Sequence, residues 1–318
     1  MDAVFYWLLN MSILASAVGV IVLLIRKIRP IPRRVIVLLW TIPLVRFLVP
    51  FGIRSEFSLL SLLPRYAVRT VPVSEVVALP TPKYDLVHSF SSENSMVMTN
   101  IGRWATSYKP MTYKVDLLAD VFDYSSFVWV VIAASVLLAL TMIYFVTKAE
   151  LRDAKRLYGN VYTSQKVTSP AVYGILRPRI IIPEHLRDAE GLDLILLHEK
   201  RHIRRGDNLW RLLAFITAAL HWFNPFVWIF LKCFLSDVEL ACDESALAKL
   251  PQEKQKAYAL ELLNVQQSKT VFASAFGGAK IRTRIEHIIS YKKMTAFSAI
   301  LFAAFVVAVA YMLLTNAA

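Results

Sequence analysis

Leu196-Leu197-His198-Glu199-Lys200-Arg201-His202-Ile203-Arg204-Arg205-Gly206-Asp207 decides how this chain is read, because it contains an H-E-x-x-H motif. On a helix, positions i and i+4 share one face, so His198 and His202 can reach a single metal ion. Glu199, one residue past the first histidine, is placed to act on a water at the metal rather than on the metal itself. The residues from Leu192 to Leu197 are largely apolar, as a helix buried in a protease core requires. A catalytic zinc takes three protein ligands and leaves one position open. Glu239-Leu240-Ala241-Cys242-Asp243-Glu244 offers the third. Glu239 and Asp243 stand at i and i+4; Glu239 can ligate, while Asp243 can accept a hydrogen bond from a ligand imidazole. A solvated acidic helix face is the alternative for that pair, and zinc is not the only ion a His2Glu set accepts.

The chain has 318 residues, 57% of them hydrophobic, which is too apolar for an ordinary soluble enzyme. Four runs read as transmembrane helices: Val4 to Ile25, Val35 to Phe51, Phe127 to Thr147 and Met294 to Thr315. The loop between the first two holds Arg26, Lys27, Arg29, Arg33 and Arg34 and no acid, which places it in the cytoplasm. Both termini then lie outside, and no cleavable signal peptide is apparent. The expected organisation is two spans in 1–51, an outside loop at 52–126, a third span at 127–147, an inside segment at 148–293 and a fourth span at 294–318. The inside segment carries 23 basic and 15 acidic residues, a surplus that suits an anionic membrane surface or solvated helix faces. Cys233 and Cys242 both fall inside it, so a disulfide is not expected.

Residues 209–235 are strongly apolar as well, yet contain Arg211, His221 and Lys232. Asn224-Pro225 reads as an N-cap with proline at the first helical position, which splits the run into two helices, each too short to span. A helical hairpin in or on the membrane interface keeps the two metal-binding segments on one side. Arg46, inside the second span, is expected to snorkel to the head groups. Ile180, Ile181 and Ile182 suggest an edge strand that an extended substrate could join.

LLHEKRHIRRGD, HWFNPFVW and ELACDE, in this order and spacing, resemble the BlaR/MecR-type antirepressor metallopeptidases, and so does the stretch Ser169 to Pro183. These are gluzincin-type zinc peptidases of bacterial membranes. The resemblance implies an α-helical polytopic membrane protein with four transmembrane helices and a mostly α, small β cytoplasmic zinc peptidase domain. Carried over by position, His198, His202 and Glu239 match the ligands of one Zn2+, Glu199 the general base and Asp243 the outer carboxylate. Arg204 and Asp207 fall where the family has an Arg and an Asp, with a structural ion pair or a helix cap as the alternatives to a task in catalysis.

Sensors of that family carry a penicillin-binding domain after the fourth span. Here the last span runs to the end of the sequence, so the expectation is a protease module without the β-lactam receptor. In the family, activation involves self-cleavage and loss of a DNA-binding repressor. The small, Gly-containing stretch 266–280, with Ser274, Ala275 and Phe276, is the candidate self-cleavage region, an ordinary linker being the alternative. Arg282, Arg284 and His287 read as a basic helix near the lipid head groups, and no nucleic-acid-binding module is recognisable. The expected partners are membrane lipids and a cytoplasmic substrate, a winged-helix repressor by resemblance. A separate sensor partner and a homodimer are left open. Two other functions stay open beside the regulatory peptidase: a housekeeping membrane protease and a non-catalytic zinc-containing scaffold.

Overall fold

A computed structural model describes residues 2–28, 31–49, 54–55, 115–266, 280–291, 293–314 and 316–317. The long apolar helix α1 (Asp2–Arg26) turns through the basic loop into α2 (Arg33–Leu48), and the two pack side by side. A third long helix, α3 (Val115–Glu150), begins well before the span expected at Phe127, inside what reads as the outside loop. The short strand β1 (Arg54–Ser55) pairs in parallel with β6 (Asn316–Ala317), which follows the last helix, α9 (Ala296–Leu314).

Three segments among the described residues are long and apolar enough to cross a membrane: Leu8–Arg26, Asp123–Asp153 and Ala296–Leu314. The expected second span is helical, but α2 has 16 residues, short of the roughly 20 a bilayer demands. It is lodged against α1 and α9 with Ile36, Leu39 and Trp40 buried. Arg46 does not snorkel. It is buried, and its Nε donates 2.9 Å to the carbonyl of Leu313 near the end of α9. A helix C-terminus is where unpaired carbonyls and negative dipole charge favour a cation.

The apolar run at 209–235 becomes two helices, α5 (Asp207–Leu220) and α6 (Pro225–Leu247). Asn224 caps α6 by accepting from the Phe226 amide at 2.9 Å, with Pro225 first in the helix, as the dipeptide predicts. The same side chain donates 2.7 Å to the hydroxyls of Ser12 and Ser16 on α1. The hairpin does not lie flat across the other helices but runs along them. Its turn meets Phe5, through Phe223, and Trp129, whose indole donates to the Leu220 carbonyl at 2.7 Å. Its other end reaches Arg26, at the opposite end of α1. Gly19 is what allows the close pass: a Cβ there would stand 2.2 Å from Phe230 of α6. His221 finds its partner across the fold, donating from Nε2 to the Phe47 carbonyl at 3.1 Å.

Beyond α3 comes a four-stranded sheet of β2 (Lys155–Tyr158), β3 (Val161–Ser164), β4 (Ala171–Tyr173) and β5 (Arg179–Pro183), in the order β2-β3-β5-β4. β5 is therefore interior, parallel to β3 and antiparallel to β4. This corrects the expected edge strand: Ile180 and Ile181 are paired on both backbone edges, Ile182 is paired on the β3 edge, and all three side chains are buried. Ile180 and Ile181 leave no open backbone edge for a substrate strand. Ile180 and Ile182 instead pack with Val161 against Leu196 of α4 (Leu192–Arg205), fixing the sheet to the motif helix. On its other side α4 presents Leu194 to a second cluster built by α6, α7 (Gln252–Gln266) and α8 (Ile281–Ile289).

Candidate metal centre

The H-E-x-x-H helix α4 and the acidic half of α6 cross with their polar stripes facing each other. His198 and His202 bring their Nε2 atoms to 3.1 Å, and the Glu239 oxygens lie 3.7 Å from each nitrogen. Tetrahedral zinc with nitrogen and oxygen ligands at about 2.0–2.1 Å places neighbouring donors about 3.3 Å apart. The spacing of these three donors therefore fits such an ion, and two imidazole nitrogens with one carboxylate are of the chemistry zinc prefers. The thiol of Cys242 is also within 4.8 Å of the two imidazole nitrogens. It also bonds to the His198 carbonyl at 3.3 Å, so the two imidazoles have two candidate third donors beside them, the Glu239 carboxylate and the Cys242 thiol.

Each imidazole is held from behind. His202 Nδ1 donates to Asp207 Oδ2 at 2.6 Å, and Asp207 is almost wholly buried. His198 Nδ1 stands 2.8 Å from the Tyr258 hydroxyl, which in turn donates to Asp243 at 2.7 Å. With protons on both Nδ1 atoms, the Nε2 lone pairs are left to face one another and Glu239. Arg205 approaches Asp207 at 3.4 Å, whereas Arg204 is exposed; the ion pair considered for Arg204 and Asp207 belongs to Arg205.

Arg284 of α8 is the largest departure from the sequence reading. It is buried, not at the lipid surface, and grips Asp243 with two bonds of 2.7 and 2.8 Å. Its guanidinium also comes within 3.4 Å of His198 Nε2 and 3.6 Å of Glu239. Burial alone would raise the Asp243 carboxyl, but Arg284 and His198 hold it far below the usual carboxylate range. Glu239 is likewise depressed against its burial, by His198, His202, Arg211 and Arg284. His287 is also turned inward, 3.3 Å from Glu244, while Arg282 alone of the three stays exposed, paired with Glu286.

Glu199 is buried beside β4: burial pushes the Tyr173 phenol up, and the Glu199 carboxylate adds to the shift. The structure thus brings together His198, His202, Glu239, Asp243 and Asp207, places Glu199 beside Tyr173 of β4, and sets Ile180–Ile182 apart as sheet core. Ser274, Ala275 and Phe276 lie outside the described residues. Tyr258 and Arg284 were not legible as site residues, since neither has a motif spacing to any ligand.

Known proteins bear on the same arrangement. A family model described as BlaR1 peptidase M56 matches residues 6–290. The regulatory protein BlaR1 of Bacillus licheniformis is 27% identical over 151 residues, covering 47% of this chain and 25% of that protein. The methicillin resistance mecR1 protein of Staphylococcus aureus is 27% identical over 142 residues, covering 41% of this chain and 24% of its own length. The alignments thus span about a quarter of the curated relatives they match. Because the family match runs through nearly all of the sequence, the motif helix and both carboxylates included, this chain belongs to the BlaR1 peptidase M56 family.

Proposed function

We propose that the chain is a membrane-embedded zinc endopeptidase that transmits a signal by cutting a cytoplasmic regulatory protein, a winged-helix repressor by family analogy, and itself. The observation that carries the reading is the convergence of two Nε2 atoms and one carboxylate at 3.1–3.7 Å, each imidazole oriented from its far nitrogen. In this reading His198, His202 and Glu239 hold the ion. When bound, it supplies a Lewis acid that polarises the scissile carbonyl and acidifies the attacking water. Glu199 takes the proton from that water and passes it to the leaving amine. Asp207 and the Tyr258–Asp243 pair keep both imidazoles in the ligating tautomer, and Arg284 keeps Asp243 charged and in place.

The proposed orientation has the metal centre on the cytoplasmic side. What supports it is the packing of Arg26, Arg33 and Arg34 against α6 residues flanking the centre, together with the rule that basic loops stay inside. The relatives' names carry the words regulatory and methicillin resistance, which favours signalling over housekeeping. The test is proteolysis in reconstituted membranes, comparing the wild type with Glu199→Ala at matched zinc content, with fragments identified by mass spectrometry. Cutting by the wild type alone is expected. Equal cutting by both removes the base, and no cutting by either while both hold zinc favours a structural site.

A further inference from the structure

The helix that bears Glu239 and Asp243 carries a second pair of buried acids, Asp237 and Glu244, on a different face from the ligand set. Asp237 is fully buried and accepts three bonds, all from the first two helices and their connection. Arg26 Nε donates at 2.7 Å, the Trp40 indole at 2.9 Å and Arg33 at 3.2 Å. Glu244 accepts the backbone amides of Arg33 and Arg34 at 2.8 and 3.1 Å. It thereby satisfies two of the orphan donors that open α2, a helix with no side-chain cap of its own. Around the α6 axis, Asp237 and Glu244 fall within about 20° of each other, and the Glu239–Asp243 pair lies about 130° away.

A helix is stiff, so what grips one face sets the position of the other. Metal geometry tolerates donor displacements of only about 0.2 Å. The grip is also doubled: Glu244 contacts His287 at 3.3 Å, on the same short helix whose Arg284 holds Asp243. Simple packing would be served as well by an apolar residue at 237, because taking a carboxylate out of water is costly unless several donors meet it. Three convergent donors specify a register that apolar contact does not.

We propose that Asp237, with Glu244, is a positioning residue that registers the metal face of α6 against the α1–α2 pair, so that the donor geometry is set from the membrane helices. This rests on the metal-centre reading above. The experiment uses the full chain in detergent micelles with Co2+ as the probe, reading affinity by competition and coordination geometry from the visible d–d bands. Asp237→Asn is expected to weaken Co2+ binding roughly tenfold, the low end for loss of an outer carboxylate, and to alter the bands. Trp40→Phe, which leaves two donors, and Glu244→Gln should each cost about threefold, near the contribution of a single hydrogen bond. Asn224→Ala, at the far end of α6, lowers the melting temperature but should keep wild-type bands, which separates register from mere destabilisation.

A folded Asp237→Asn with wild-type affinity and bands overturns the proposal. If that variant does not fold, the proposal is overturned when Trp40→Phe and Glu244→Gln match Asn224→Ala in affinity and bands. Failure of the wild type to take up Co2+, or uptake undiminished by His202→Ala, overturns the metal-centre reading and this proposal with it.

Discussion

Among the described residues three histidines are buried, in two different settings. At the crossing of α4 and α6, His198 and His202 each commit Nδ1 to an oxygen partner and turn Nε2 toward a common point. In the hairpin turn, His221 commits Nε2 to the Phe47 carbonyl, and its Nδ1 has no partner among the described residues. Its ring stands edge-on to Phe47 at 4.8 Å, with Phe223 on another side. Burial is the same in both places, so burial does not make a histidine a ligand. What distinguishes the metal centre is an acceptor behind each ring and lone pairs that converge.

That contrast is open to attack. The largest effect belongs to the converging side: His202→Ala or Glu239→Gln should abolish stoichiometric zinc, read by elemental analysis of the purified protein. His221→Leu should leave the zinc content untouched; a metal-free His221→Leu would erase the distinction. Next, Glu199→Gln keeps every donor and should still bind zinc, yet lose about two to four orders of magnitude in peptide cleavage, the usual share of a general base. Third, Asp207→Asn attacks only the acceptor behind His202 and should weaken zinc binding by about 10- to 100-fold in a competition titration.

The Asp207 variant also shows what the sequence could carry. The motif, the Asn224-Pro225 cap and the ELACDE stripe were readable because their chemistry sits within one or two helical turns. Asp207 enters through the family resemblance, as a member of an ion pair with Arg204 or as a helix cap, whereas the structure pairs it with His202. Arg284 and Tyr258 were missed because their partner is Asp243, brought near only when α7 and α8 fold back over α6. The misplacement of β5 has a different cause. Ile180 to Ile182 form an unbroken apolar run, the mark of a strand covered on both faces, and that pattern carries no information on whether the strand's backbone edges are paired. Strand order comes from the β3–β5 crossover, which no local pattern reports.

Two smaller effects sharpen the comparison from the hairpin side. His221→Leu leaves the buried Phe47 carbonyl unpaired and should cost about 1–3 kcal/mol of stability, measured by thermal unfolding in micelles. The last concerns Glu244, whose carboxyl is lowered in the fold: burial opposes the charge, but His287 and the Arg33 and Arg34 amides outweigh it. A carboxyl lowered by folding adds stability that is fully present above its unfolded value, about 4.3, and lost as pH falls through the folded one. Wild type should therefore lose melting temperature on acidification below about pH 4 more steeply than Glu244→Gln. Parallel curves would mean the carboxylate adds nothing to the fold.

Gly206 joins the two halves of the metal helix region at a single residue. Its φ of +65° stops α4, its amide closes onto the carbonyls of His202 and Ile203, and the chain reverses into α5 at Asp207. Nothing crowds a Cβ there, so glycine is required by backbone angle rather than by space. In the proposed function, the stretch from His198 to Asp207 is in consequence a portable cassette: two donors, the base, the stop and one orienting acid in continuous sequence. A designer moving this chemistry onto another helical scaffold would need to graft that cassette and find only one further helix, bearing a glutamate and an aspartate a turn apart. A side chain placed at 206 would break the unit without touching a single polar group.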